Sequence, residues 1–426
     1  MKTILVVSYY FPPCNSVATA RSKSFAENFR KHGLSPVVVT RHWRGEEKTW
    51  TDYHRTSEEP QRVTEGDGYR LVQLPYRARL FRLFESAARV PLGSKLFTLL
   101  MLLGGRFDPE VNAFEIFYEY LREYLRANRV DYLLVTAPPL NLVRLGYLLK
   151  REFGVPLVVD FRDLWSKEIL RTPELRPRAD AKENLYEFHL RRWLKAADLV
   201  VSVSAPLVEE LERINPGGRT AVVMNGYDAA SLAEFDDLKG WRNEKFTVST
   251  VGTLYETQDL SVLLEGLKLF LADKGADEVR LNFVGTAVVE EVRELLSERL
   301  PPACTRITHR VERREAQAEM FKSDVLFYAG WKGYRGVVST KLFEYLSSGR
   351  NILIAPSDHD IIEEVLRKTG AGRTADTPEE FAAILNGWFA EWKRAGRLSY
   401  HGKEEEIGVY SREHQAELLA REILSL

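Results

Sequence analysis

Residues 131–163 read DYLLVTAPPLNLVRLGYLLKREFGVPLVVDFRD, and they spell a strand, a helix and a second strand. DYLLVTA is a short apolar run stopped by Pro138-Pro139. Residues 140–153 then carry apolar side chains at helical spacing and close on Gly154, a natural helix stop. PLVV follows as another run rich in β-branched residues. Two strands apolar throughout, joined by a helical crossover, pair in parallel and are covered on both faces.

The same alternation extends outward. Upstream lie the strand TILVVSYY, a helix over 19–31 closed by Gly33, the strand PVVVT, an irregular polar stretch over 44–68, the strand RLVQLP and a helix over 112–128. Downstream, helices over 180–197 and 206–213 flank the strand DLVVSVS, and AVVMNG ends the first half at Asn225-Gly226. Residues 227–244 are acidic and irregular, as a linker would be. FTVSTVG, RLNFVG, TRITHRV, VLFYAG and NILIAP then alternate with further helices, and a helix over 411–424 ends the chain. The expected fold class is α/β: two facing Rossmann-like, doubly wound parallel-sheet domains at 1–226 and 245–408, with 227–244 as linker. The terminal segment 409–426 is a candidate to pack back on the first domain. Ligands in such folds gather at the carboxyl ends of strands, so an interdomain cleft is the expected site.

Composition narrows the function classes. The 426 residues carry a net charge of -1, which supplies no basic field for nucleic acid. Cys14 and Cys304 are the two cysteines, too few and too far apart for a disulfide framework or a zinc site. The N-terminal apolar run is cut short by Pro12-Pro13 and has no cleavage signal, so it reads as a strand, and a cytoplasmic location is expected. Residues 76–107 break the α/β pattern by mixing arginines and Lys95 with Leu, Phe and Met. Such composition suits peripheral contact with the inner face of an anionic membrane, or helices that wall an acceptor site.

GVVSTKLFEYLSSGRNIL, residues 336–353, bears most directly on chemistry. Ser339 and Thr340 are natural N-cap residues, Leu342, Tyr345 and Leu346 form the apolar side, and Gly349 stops the helix. Lys341 and Glu344, three apart, project from one face of the first turn. An ammonium beside a helix N-terminus suits a diphosphate, and a carboxylate one turn on suits the diol of a ribose. The plainer alternative is an amphipathic helix with a solvated Lys–Glu pair on its surface.

With these landmarks in order, the chain resembles the retaining glycosyltransferases of the GT-B fold, specifically the family-4 type. The likeness rests on the loop FPPCNSVATAR, the segment TAPPLNLVRLGYLLKREFGVPLVVDFRDLW, DLVVSVSAPLVEEL, VMNGYD, VSTVGTLYETQDLSVLLEGL, LNFVG, KSDVLFYAG and STKLFEYLSSGRNIL, and it spans nearly the whole chain. It implies a hexosyltransferase-type enzyme moving a sugar from a nucleotide-diphosphate donor to a glycan or lipid-linked acceptor, in envelope polysaccharide or glycoconjugate biosynthesis. It implies no cofactor beyond the nucleotide sugar. No metal is expected, because Asp358-His359-Asp360 and Asp236-Asp237 read as cap and solvated acids.

Residue by residue, Glu344 matches the second glutamate of the family's Glu-x7-Glu motif, which grips the donor ribose. The first falls on Gly336, so that carboxylate is missing, which means either an altered donor choice or lost activity. Thr253 and Gln258 stand where relatives often have basic groups, which marks a divergent Ser-x-Lys-x-x-Glu-Tyr variant. Ser339, Thr340, Lys341, Glu344, Gly252, Thr253, Arg310, Gly336 and Val337 are the donor-site candidates. Arg162 and Asp163, with Asp160 pointing the same way as Arg162, are the catalytic candidates. Asn15, Ser16, Arg21 and Pro138 are candidates for an acceptor or phosphate loop, with Lys341 as one substitute phosphate ligand and Arg21 or Arg162 as the other. Two other readings stay open: a nucleotide-sugar 2-epimerase or hydrolase of the same fold, and a degenerate nucleotide-binding scaffold subunit.

Overall fold

The structure, a computed structural model, describes all residues except 48–51, 54, 78, 106–112, 165, 166, 173 and 256. Ala78, Arg106 and Phe107 of the basic-apolar segment, the expected helix start at Asn112, and Trp165 therefore lie outside the described residues. The chain divides into two compact units: Met1–Leu170, Arg176–Met224 and Arg412–Leu426 form the first, Arg171–Leu175 and Asn225–Ser411 the second.

The N-terminal unit is built on an eight-stranded sheet. Its strands are β1 (Lys2–Val7), β2 (Leu34–Arg41), β3 (Arg62–Glu65), β4 (Arg70–Leu74), β5 (Tyr132–Ala137), β6 (Leu157–Phe161), β7 (Leu199–Ser202) and β8 (Thr220–Val222). They are ordered β3-β4-β2-β1-β5-β6-β7-β8. All pairs are parallel except β3 with β4. The expectation of an irregular stretch over 44–68 is thus corrected. RVTE pairs antiparallel at the sheet edge, where Glu65 and Arg70 form an ion pair that a polar, exposed strand can carry.

Strand alternation explains why both sheet faces are apolar. Leu5, Val7, Leu133, Val135 and Val159 join one core, while Ile4, Val6, Leu134, Val158 and Val201 join the other. The second core also takes Phe25 and Phe29, together with Ala416, Leu419, Ala420 and Ile423 of the helix Arg412–Leu424. Those four side chains recur at i, i+3, i+4 and i+7, one stripe of a helix, and so the chain's end is a structural part of this unit.

The C-terminal unit holds β9 (Phe246–Val251), β10 (Val279–Val284), β11 (Thr305–Ile307), β12 (Val325–Ala329), β13 (Asn351–Ala355) and β14 (Gly372–Thr374). Its order is β11-β10-β9-β12-β13-β14, with every pair parallel. One face packs on the helices Ser261–Leu271 and Pro378–Ala395 through Phe246, Phe270, Phe389 and Trp392. The expected irregular linker over 227–244 is also corrected: it folds with this unit as a short helix, Ala229–Leu232, and a 3-10 helix, Ala233–Gly240. Leu232, Phe235 and Leu238 recur every third residue, the period of a 3-10 helix, and Phe235 stacks on Phe321.

In each unit the strand order reverses beside its first strand. In the N-terminal unit β1 is flanked by β2 and β5; in the C-terminal unit β9 is flanked by β10 and β12. Crevices open at the carboxyl ends of strands at such switch points.

Candidate functional site

The C-terminal unit's switch point is assembled by the helix Thr340–Ser347. Tyr345 is wholly buried, its hydroxyl donating to the Val251 carbonyl (3.1 Å) and accepting from the Val251 N–H (2.7 Å). Burial raises the pKa of that phenol, so it stays protonated and keeps both bonds. Lys341 precedes Tyr345 by four residues and therefore lies on the same face. Its ammonium donates to the Thr253 carbonyl at 2.8 Å, just beyond the end of β9.

Gly252 is required at this point twice over. Its φ of 98° is in the left-handed region, and a Cβ there would stand 3.1 Å from Lys341 Cε. Gly285, after β10, is left-handed too, and a Cβ on it would reach 3.8 Å from Gly252 Cα. The result is a floor of bare backbone with one ammonium beside it. Ser339 occupies the helix N-cap, yet its side chain makes no cap hydrogen bond; its hydroxyl meets the Tyr328 hydroxyl at 3.2 Å instead. Thr340 is the first helical residue rather than a cap. Leu342 N–H is taken by the Ser339 carbonyl at 3.3 Å, and the positive end of the helix lies behind the Thr340 and Lys341 N–H groups.

Glu344 faces Arg313 (3.5 Å), the first residue of the helix Arg313–Phe321. The expected Lys–Glu partnership on one helix face thus has a third member, which sequence reading missed because it lies 31 residues away with no motif to mark it. Val337 is half-buried, and Arg310 is exposed in the segment after β11.

The position of the missing glutamate has a physical account. Gly336 has φ 69°, and its N–H donates to the Asp360 carboxylate at 2.7 Å. A glutamate would be strained in that backbone conformation. Gln258 is equally committed: it is buried, donates to the Ala329 carbonyl (2.6 Å) and accepts from the Tyr255 N–H (3.0 Å), which ties down the loop after β9. Asp358 accepts N–H bonds from Asp360 (3.2 Å), Ile362 (2.8 Å) and Glu363 (3.0 Å), and so caps the helix Ile361–Thr369. Asp360 lines a cavity of about 620 Å³, shared with Asp259, Trp331, Tyr334, Arg335 and Asp376.

In the N-terminal unit, two expectations are corrected. Arg21 is buried, and its guanidinium makes a bidentate pair with Asp160, Nη2 to Oδ1 at 2.8 Å and Nε to Oδ2 at 3.0 Å. Its Nη1 donates to the Met224 carbonyl (3.0 Å). The proposed phosphate arginine and the proposed catalytic Asp160 thus neutralise each other inside the unit, because a carboxylate with no solvent exposure requires a cation. Arg162 behaves differently: it pairs with the exposed Asp163 at 3.3 Å and lies 5.5 Å from the centre of the Tyr10 ring. Ser16 turns the chain into the helix Thr19–Asn28 by accepting from Thr19 N–H (3.1 Å) and its hydroxyl (2.8 Å). Asn15 is exposed and accepts from the Tyr53 hydroxyl (3.3 Å), while Pro138 is half-buried after β5.

Comparison with known proteins bears on the fold. Residues 18–226 match the family described as the glycosyl transferase 4-like domain. The match spans 209 of the 426 residues, just under half of the chain. The whole chain superposes on solved structures at low identity. Sucrose-phosphate synthase from Thermosynechococcus elongatus is 14% identical, with all of both chains covered and a TM-score of 0.65. The trehalose-6-phosphate protein of E. coli bound with UDP-2-fluoro glucose is 13% identical, with 100% of this chain and 99% of that one covered and a TM-score of 0.63. A glycosyltransferase from Rickettsia africae is 12% identical over 99% and 98% of the two chains, with a TM-score of 0.60. No curated protein matches by sequence. The solved structures share the two-unit α/β fold of this chain, the GT-B plan.

Burial lowers the Lys341 pKa from 10.5 to about 8, while the nearby Glu344 opposes the shift. The ammonium is therefore present below about pH 8 and lost above it. Binding of a nucleoside diphosphate, whose phosphates are ionised by then, is expected to fall by about twofold from pH 7 to 8 and by up to about tenfold per pH unit above that. Titration calorimetry across this range checks it; a flat profile up to pH 10 would place the phosphates on another cation.

Proposed function

We propose that this protein moves a sugar from a nucleotide-diphosphate donor to a hydroxyl of a glycan or lipid-linked acceptor, with retention and without a metal, in envelope polysaccharide or glycoconjugate biosynthesis on the cytoplasmic side of a membrane. The observation that carries the reading is the Lys341 ammonium, 2.8 Å from the Thr253 carbonyl and beside Gly252 at the head of an uncapped helix. A departing diphosphate needs fixed positive charge and N–H donors, and this end of the unit offers both. Glu344 is assigned to the ribose diol, with Arg313 holding its carboxylate; Arg310, Thr340 and Val337 complete the donor side. Arg162 and Asp163 of the transferase domain are assigned to the acceptor hydroxyl and the sugar, and the leaving phosphate takes the acceptor proton. The bound UDP-2-fluoro glucose of the E. coli neighbour supports a nucleotide-sugar donor.

A panel of UDP, GDP, ADP and TDP tests this reading by thermal shift, followed by their sugars with product analysis. One diphosphate is expected to raise the melting temperature, and its sugar to undergo slow hydrolysis without acceptor. Glu344→Ala should weaken that diphosphate by about tenfold or more through lost ribose hydrogen bonds. Silence across the panel would refute the donor site. A second reading, a nucleotide-binding subunit without turnover, is favoured by one observation: Gly336 and Gln258 are structurally committed where relatives place charges. Binding with no turnover for any acceptor would select it, and donor conversion without acceptor would select the epimerase or hydrolase.

A further inference from the structure

The segment that breaks the α/β pattern folds as two helices, Arg79–Ala88 and Gly93–Leu103. They are packed, not loose. Phe84 and Phe97 meet edge-on across the pair at 6.2 Å, and Leu102, 2% exposed, inserts into the core of the N-terminal unit. Yet the second helix is apolar almost all round. Leu96, Leu99, Leu100 and Leu103 follow one stripe at i, i+3, i+4 and i+7, and that stripe points outward, with Leu96 57% and Leu103 58% exposed. Leu83, Val90 and Leu92 extend the patch, and Leu92 is 72% exposed. Seven of the twenty exposed large hydrophobic residues of the described chain fall within this segment, a clustering that a solvated surface does not carry without an occupant.

Charge decides between occupants. Within residues 79–103 stand the exposed Arg82, Arg89 and Lys95, against one acid, Glu85. A chain of net charge -1 thus concentrates positive charge where its apolar surface is exposed. Cations around an outward apolar stripe match an anionic bilayer surface, where leucines enter the acyl boundary and basic groups meet the headgroups. A second copy would instead set the same cations against each other. The helix has 11 residues and spans roughly 16 Å, half of a hydrocarbon core. Among the described residues no helix is long and apolar enough to cross a membrane.

We propose that the helix pair Arg79–Ala88 and Gly93–Leu103 is a monotopic docking surface for anionic lipid bilayers, with Leu92, Leu96, Leu99, Leu100 and Leu103 inserted and Arg82, Arg89 and Lys95 against the headgroups. It lies flat on the surface. The proposal stands apart from the transfer reaction, since it concerns attachment and not turnover, and the two can fail independently.

Flotation of the purified full chain with vesicles of phosphatidylcholine alone, or mixed with phosphatidylglycerol, tests it. The protein is expected to float with the anionic vesicles only, and less at high salt. Leu96→Asp with Leu100→Asp should cut binding by more than about tenfold, and Arg82→Glu with Lys95→Glu by about tenfold. Circular dichroism should show both variants folded, because all four side chains are exposed. Flotation unchanged by the leucine pair, absent from every vesicle, or equal on neutral vesicles would overturn the proposal. So would a concentration-dependent dimer that the leucine pair dissolves while vesicle binding stays absent.

Discussion

Lys341→Met is expected to weaken binding of the preferred nucleoside diphosphate by about 100-fold, roughly 3 kcal/mol, while leaving the melting temperature unchanged or slightly higher. The two halves of this expectation have one cause. Lys341 is half-buried, with the Thr253 carbonyl for its hydrogen-bond partner and Glu344 nearby. Its depressed pKa means that the folded protein disfavours the charge it carries, so a neutral side chain of similar length relieves that cost. Calorimetry with the diphosphate and a thermal scan of the same samples read both effects. A variant that melts far lower but binds normally would reassign Lys341 to a structural bridge between the loop after β9 and its helix.

How legible this was in the sequence depended on the kind of interaction. Parallel strands buried on both faces advertise themselves as apolar runs, and helices between them by period and stop residues, so β5, β6 and β9 were readable along with the helix Asn141–Phe153. The edge strand β3 was not, because RVTE is polar and exposed and its pairing with β4 is decided by the neighbour. The 3-10 helix Ala233–Gly240 was hidden for another reason: its apolar residues recur every third position, a spacing weak in helix and strand alike. The helix Pro378–Ala395 packs Phe381, Leu385 and Trp392 inward.

The candidate site was legible only where it is local. Lys341, Glu344 and Tyr345 share eight residues of one helix, and helical spacing alone puts Lys341 and Tyr345 on a common face. What they touch comes from far along the chain: Val251 and Thr253 for two of them, Arg313 for the third. Nothing in the local pattern names those partners. The same limit explains Gly336. A missing glutamate reads as a loss in sequence, while in the structure the position is a left-handed turn fastened by Asp360, 24 residues later.

Arg21→Met should be the most destabilising single change of those considered, by about 3–5 kcal/mol, because it strands the Asp160 carboxylate without solvent or counter-charge. The pair is separated by 139 residues in sequence and joins the helix Thr19–Asn28 to β6, with a further bond to the Met224 carbonyl. Met224 in turn donates its N–H to Gln415 of the terminal helix (2.6 Å), so the guanidinium sits where three parts of the N-terminal unit meet. The unfolding transition of that unit should drop by on the order of 10 °C. Arg21→Met combined with Asp160→Leu should recover much of the loss, since two apolar side chains of similar bulk can replace a buried ion pair at little cost. Had Arg21 been a phosphate ligand, the single change would weaken diphosphate binding and spare stability. A melting temperature within a degree of the wild type, or a double variant no better than the single, would remove the pair from the load it is assigned and return Arg21 to the list of candidate cations.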